Sequence, residues 1–273
     1  MGAGWEERRT LPLRAWYLDA TGACVSGPVP PPSGAHVVQG TLRSRWVEGQ
    51  VGWLVALPHG HRPGARLPVV YCLPGRGTPA AGVLDLHLDG FTAALARHGN
   101  PPMALVGVDS GDTYWHRRAS GEDRMSMLVD ELMPMVERRF GLGRAGRGLF
   151  GWSMGGYGAI LAAELHPGMF GSVAALSPAM WQTAAQQRSA VPDAFDSTAD
   201  YRRHDPYTLA PRLAGTPVFV ACGSSDPFHA ADVAFAQRLR PAPQTLFAAG
   251  CHDDGFWRQA AGPALGFLGG RLA

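Results

Sequence analysis

Short apolar runs of about five residues recur along this chain, separated by segments with helical periodicity, and that alternation restricts the fold more than any other feature. Val69-Val70-Tyr71-Cys72-Leu73, Ala104-Leu105-Val106-Gly107-Val108, Ser172-Val173-Ala174-Ala175-Leu176 and Pro217-Val218-Phe219-Val220-Ala221 are uniformly apolar rather than alternating. Strands of that kind are buried on both faces, as in a parallel sheet covered by helices. Helices are expected from Gly90 to His98, from Glu122 to Arg139, near Ala230 to Leu239, and from Phe256 to Leu268. Strands are expected upstream at Leu13 to Leu18, Val37 to Leu42 and Val51 to Leu57, and a last one at Gln244 to Ala248. Residues 1–50 thus hold N-terminal strands around the proline-rich loop Gly27 to Gly34. Residues 179–211, polar and rich in Gln, Arg and Asp, interrupt the rhythm and read as a small cap-like excursion. The whole chain, 1–273, reads as one α/β domain.

Between an apolar run ending at Leu149-Phe150 and the small-residue helix Tyr157 to Leu165 lies Gly151-Trp152-Ser153-Met154-Gly155-Gly156. G-x-S-x-G at a strand-to-helix junction is the nucleophile elbow of α/β-hydrolases: small neighbours permit a turn sharp enough to hold the serine hydroxyl out. Such a serine needs a histidine to take its proton and a carboxylate to orient that histidine, in the chain order Ser, Asp or Glu, His. Asp226 follows the Phe219 to Cys222 run in Gly223-Ser224-Ser225-Asp226-Pro227. His252 follows the last strand in Gly250-Cys251-His252-Asp253-Asp254. Asp253 and Asp254 sit too near His252 in sequence to reach its Nδ1 easily, and Asp205, before a proline, suits a turn; they remain the competing acids. The N–H of Met154 and that of Arg76, in the loop Leu73-Pro74-Gly75-Arg76-Gly77-Thr78, are the expected oxyanion donors.

A net charge of +2 gives no reason to expect nucleic acid or an anionic membrane as partner. No stretch is apolar enough to span a bilayer, and Met1 to Thr10 is charged, so a cytoplasmic protein is the default reading. Cys24, Cys72, Cys222 and Cys251 show no C-x-x-C spacing, so neither a zinc site nor a disulfide framework is expected.

These loops, with Cys222-Gly223-Ser224-Ser225-Asp226-Pro227-Phe228 and Val108-Asp109-Ser110-Gly111-Asp112-Thr113-Tyr114-Trp115-His116, resemble the esterase D-like branch of the α/β-hydrolases. That branch includes S-formylglutathione hydrolases, feruloyl and acetylxylan esterases, siderophore esterases and trehalose mycolyltransferases. The resemblance runs from about Val51 to the C-terminus. It implies a Ser-His-Asp acyl hydrolase that uses no cofactor or metal and acts on a small-molecule ester, with Ser153, Asp226 and His252 as the triad. Tyr114, Trp115, Trp152, Trp181 and Trp257, with Phe256, are the expected aromatics near the pocket. Two departures stand out: Cys251 replaces a glycine usual before the histidine, where a passive small residue is expected, and Pro74-Gly75 stands where the family often has His-Gly. Transfer of the acyl group to a sugar hydroxyl and a catalytically silent binding protein are the alternative functions. The oligomeric state is not specified by the sequence.

Overall fold

Residues such as Val69, Tyr71 and Leu73 alternate with Val70 and Cys72, and both sets are apolar, so this strand can satisfy its side chains only by being covered twice. The computed structural model, which describes residues 23–62, 66–143 and 146–272, shows that arrangement. Val69, Tyr71 and Leu73 pack into one hydrophobic layer, Val70 and Cys72 into the other.

Eight strands form one sheet: β1 (His36–Ser44), β2 (Gly49–Leu57), β3 (Val69–Leu73), β4 (Ala104–Val108), β5 (Arg147–Trp152), β6 (Ser172–Leu176), β7 (Val218–Gly223) and β8 (Gln244–Ala248). Their spatial order is β1-β2-β4-β3-β5-β6-β7-β8. β1 and β2 form a hairpin, β2 joins β4 antiparallel, and every later pairing is parallel. The expected strand at Leu13 to Leu18 lies outside the described residues.

Helices α1 (Leu88–Arg97), α2 (Met133–Phe140), α3 (Met154–Leu165), α4 (Ala184–Ala190), α5 (Thr198–Arg203), α6 (His229–Arg238) and α7 (Asp254–Leu272) accompany the sheet. The helix expected from Glu122 to Arg139 is not uniform. Asp123 caps its start by accepting from Ser126 N–H at 2.9 Å, but Met127–Leu132 runs as a π-helix before α2. Pro134 explains the widening, because it has no N–H to donate and its ring crowds the preceding turn.

The excursion between β6 and β7 consists of α4, α5, a short turn at Pro206–Leu209 and a 3-10 turn at Ala210–Leu213. Thr183, Ser197 and Asp205 each cap a helical start through the side-chain oxygen. Phe195, Tyr201 and Tyr207 join the same hydrophobic layer as α3, and Tyr157 Oη donates to His204 O at 2.8 Å.

The cysteines correct the sequence reading. Cys24 and Cys251 form a disulfide across 227 residues of sequence, with Cα atoms 4.9 Å apart, whereas Cys72 and Cys222 are free and buried. Cys251 is therefore a covalent anchor for the N-terminal segment, not a passive spacer. Disulfides persist in oxidising compartments while cytosolic thiols are kept reduced, so the default cytoplasmic placement gains no support. Among the described residues no helix is long and apolar enough to cross a membrane.

Candidate active site

The site forms where β5, β7 and β8 end. Ser153 stands between β5 and α3 with φ 55° and ψ −126°, backbone angles that cost a non-glycine residue about 1–3 kcal/mol. The turn is held from both sides: Ser153 N–H donates to Leu176 O at 2.9 Å, and its carbonyl accepts from Tyr157 and Ala179 N–H. A Cβ on Gly151 would lie 2.2 Å from Gly155 O, and one on Gly155 would lie 1.8 Å from Leu73 O. Only glycine permits that contact between α3 and the backbone leaving β3, which is why both ends of G-x-S-x-G lack side chains.

Asp226 follows β7 and its side chain is fully buried. One carboxylate oxygen accepts from Phe228 N–H at 2.8 Å; the other faces His252 Nδ1 at 2.8 Å. His252 Nε2 lies 2.9 Å from Ser153 Oγ. A carboxylate can only accept, so Nδ1 carries the proton and Nε2 presents its lone pair to the serine. Phe228 and Trp257 pack on the imidazole, each with its ring centroid 5.2 Å away. Two of the three competing acids have other work: Asp253 accepts from Phe256 N–H at the start of α7, and Asp205 accepts from Tyr207 N–H, while Asp254 is exposed and makes no hydrogen bond to His252.

The Arg76 loop lies against the serine, since a Cβ on Gly75 would be 3.5 Å from Ser153 Cβ. Arg76 N–H has no backbone acceptor among the described residues, and Met154 N–H, first in α3, has none within its helix. Sequence reasoning missed what braces this loop. Ser110 Oγ, fully buried after β4, donates to Gly75 O at 2.6 Å and accepts from Thr78 N–H at 3.1 Å, while Asp109 accepts from Ala80 and Gly52 N–H. The 108–116 segment carries part of the family resemblance, but spacing alone does not reveal which carbonyl its serine meets.

A cavity of about 340 Å³ opens above Ser153 and His252, walled by Trp152, Trp257, Gly75, Thr78 and Leu86. Two of the six expected aromatics, Trp152 and Trp257, therefore line it, and four do not. Tyr114 packs among Tyr157, Trp181 and Phe195, with centroids 5.6–5.9 Å apart. Trp115 is wholly buried, and Trp181 rests on Phe228, one layer behind the histidine. Phe256 is likewise wholly buried. Consecutive left-handed residues at Tyr114 and Trp115 (φ 55° and 56°) turn this loop tightly, and its aromatics complete the core. A separate cavity of about 390 Å³ between β2 and α1 contains no member of the Ser-His-Asp set.

Among the described residues, two clusters bring together metal-ligand residue types. Cys24 and Cys251, beside Asp253, are spent on each other in the disulfide. His116, Asp200 and His204 meet beneath the excursion, but the two imidazoles stack 4.4 Å apart at 22°, so their in-plane lone pairs run side by side instead of converging. Both His116 ring nitrogens face carbonyl oxygens, of Arg117 and Ala194, at 3.1 Å. Burial, the larger cause, and the neighbouring His204 both lower the His116 pKa.

A parallel sheet with an antiparallel edge, carrying a strained serine at the turn after β5, defines an α/β-hydrolase. The family profile described as "Putative esterase" matches residues 44–254, and the chain belongs to that family. The iron(III) salmochelin esterase of Escherichia coli O6:H1 is 28% identical over 195 residues, which cover 65% of this chain. The matched part is 45% of that relative, so the chain spans under half the length of the curated relative it matches. Among solved structures, a ferulic acid esterase superposes with a TM-score of 0.76 at 23% identity, covering 88% of this chain and 99% of the other. The S-formylglutathione hydrolase of Agrobacterium tumefaciens does so with a TM-score of 0.70 at 19% identity, covering 89% and 98%. The α/β-hydrolase fold and the esterase D-like resemblance drawn from the loops are thereby borne out.

Proposed function

We propose that this chain is a serine carboxylesterase working through an acyl-enzyme. The observation that carries the reading is the continuous hydrogen-bonded line from Ser153 Oγ through the His252 imidazole to the buried Asp226 carboxylate. Ser153 Oγ attacks the ester carbonyl as its proton passes to His252 Nε2. The N–H groups of Arg76 and Met154 receive the tetrahedral oxyanion, in a position worth about 2.7–4 kcal/mol per donor. Collapse breaks the bond to the alcohol, which leaves with the proton from His252, and the acyl group stays on Ser153. A water then repeats the sequence: its proton goes to His252, the acid departs, and Ser153 recovers its hydrogen. Asp226 holds the imidazole tautomer and stabilises the transient imidazolium.

Trp152 and Trp257 favour an apolar or aromatic group on the acyl or alcohol side, in line with the ester substrates that the names of the relatives indicate. The His252 side chain is 25% exposed, which leaves water access to the acyl-enzyme. Hydrolysis and sugar acylation separate in one experiment: a p-nitrophenyl ester is turned over with excess trehalose and the products are analysed. Free acid in an amount matching the released p-nitrophenol supports hydrolysis, whereas acylated sugar as the main product contradicts it.

A further inference from the structure

The imidazole of His252 sits on a loop with few backbone ties. Among the described residues, neither Cys251 nor His252 makes a backbone-to-backbone hydrogen bond. Just before them, Gly250 O accepts from Ser225 N–H at 2.9 Å, and just after them Asp253 caps the start of α7. Between those two points the side chains do the holding. His252 is held through Asp226 and Ser153, and Cys251 through its bond to Cys24.

Cys24 begins a strap, residues 24–35, that leads from the histidine loop across α7 and α1 to β1. Its first part lies backbone against backbone on the opening turn of α7. A Cβ on Gly27 would come within 2.2 Å of Gly255 O, and one on Gly255 within 1.8 Å of Val25 O. Its second part is fastened elsewhere: Pro30 and Pro31 lie against Gly90 of α1, and Ser33 Oγ donates to the Asp89 carboxylate. Opening the disulfide thus releases the end of the strap beside His252 and leaves the other end tied. Cys24 is half-buried and Cys251 buried, so Cys24 is the partner that a solvent thiol meets first.

We propose that the Cys24–Cys251 bond positions His252 for catalysis and is a thiol-exchange site through which a dithiol reductant turns the enzyme down. The inference rests on the esterase reading above and adds regulation to it. A thiolate of the dithiol attacks Cys24 Sγ, the bond to Cys251 breaks, and Cys251 leaves as a thiolate that takes up a proton. The second thiolate of the reductant then displaces Cys24 from the mixed disulfide, and Cys24 is protonated in turn. The protein gains two electrons and two protons, and the dithiol is oxidised to a cyclic disulfide. With Cys251 released, the backbone under the imidazole loses its covalent tie and Nε2 is held less firmly toward Ser153 Oγ. The expected loss is about tenfold in kcat, short of the ~10² that a 1 Å misplacement can cost.

In the test, wild-type protein is reduced with dithiothreitol without denaturant, freed of reductant by anaerobic gel filtration, and assayed with p-nitrophenyl acetate well below its Tm. A thiol count on a denatured aliquot confirms that all four cysteines are free. Cys24→Ser is assayed beside it, and a fluorophosphonate probe reports what fraction of chains reacts and how fast. Expected in both is a kcat lower by about tenfold, KM within about twofold, and every chain labelled at a rate about tenfold slower. Oxidised glutathione should restore the wild-type protein and leave Cys24→Ser unchanged. A merely structural bond would leave part of the chains unlabelled and the rest at full rate. That result, an unchanged kcat with all four thiols free, or a bond that dithiothreitol fails to open in the folded protein overturns the inference and leaves the esterase reading intact. The reduced wild-type arm stands even if Cys24→Ser folds poorly. If the oxidised protein turns over no ester, both readings fall.

Discussion

Ser110 Oγ donates to the Gly75 carbonyl at 2.6 Å, joining the exit of β4 to the loop that carries Arg76. The hydroxyl lines no part of the cavity; it fixes the plane of the Gly75–Arg76 peptide, which carries the Arg76 N–H. A donor aimed at a developing charge contributes only while its direction is held.

Replacing Ser110 with alanine is expected to lower kcat about tenfold, less than the 10²–10³ lost when a donor is removed outright. KM should stay within about twofold, because ground-state binding uses the indole walls rather than the oxyanion donor. Steady-state kinetics with p-nitrophenyl acetate reads both parameters. A rise in KM at unchanged kcat would assign Ser110 to substrate binding instead.

The Cys24–Cys251 bond fastens the N-terminal segment beside His252. Cross-links of this kind contribute about 2–4 kcal/mol, so a thiol reductant should lower the Tm by roughly 4–16 °C for a chain of this size. Thiol titration under denaturing, non-reducing conditions should find the two free cysteines, Cys72 and Cys222, and all four after reduction. Four reactive thiols before reduction would contradict the cross-link.

Asp232, on α6 behind the Asp226 loop, is wholly buried, and neither of its carboxyl oxygens has a hydrogen-bond partner. Burial raises its pKa well above the usual carboxyl range; the adjacent Cys222 thiol partly opposes this, and the Asp226 charge adds to it. A group whose folded pKa is raised contributes stability below its unfolded value, near 3.9, and loses it as pH rises toward the folded value. Asp232→Asn should therefore gain Tm over the wild-type protein progressively as pH rises from about 4, at up to about 1.4 kcal/mol per pH unit. Thermal melts between pH 4 and 9 check the sign. A Tm difference independent of pH would show that Asp232 ionises in the fold as it does in the unfolded chain, with no raised pKa.

The parts of this molecule that were legible in the sequence are those set by backbone periodicity. The five-residue strands gave themselves away because both faces are apolar. Ser153, Asp226 and His252 could be picked out because each lies in the turn or loop that follows a strand, in the order the fold demands. Contacts made by loops far apart in sequence carry no comparable pattern. The Cys24–Cys251 bond joins two loops without spacing, and the Ser110 hydrogen bond depends on a carbonyl that no side-chain identity encodes. Four of the six aromatics lie away from the cavity for a related reason. Trp115 and Trp152 look alike in sequence, but the left-handed turn at Tyr114 and Trp115 belongs to the core side, while Trp152, at the end of β5, reaches the cavity. The π-helical widening at Met127–Leu132 could have been anticipated from Pro134 within an otherwise periodic helix.

Everything functional depends on Ser153 Oγ being the atom that takes up the acyl group, and one paired measurement addresses this directly. Wild-type protein and Ser153→Ala are treated with a fluorophosphonate probe, the intact masses are recorded, and hydrolysis of p-nitrophenyl acetate is followed in the same preparations. The account predicts a single adduct and steady turnover in the wild-type protein, with no adduct and at least a 10³-fold loss of kcat in Ser153→Ala. Labelling or near-normal turnover in Ser153→Ala would contradict it.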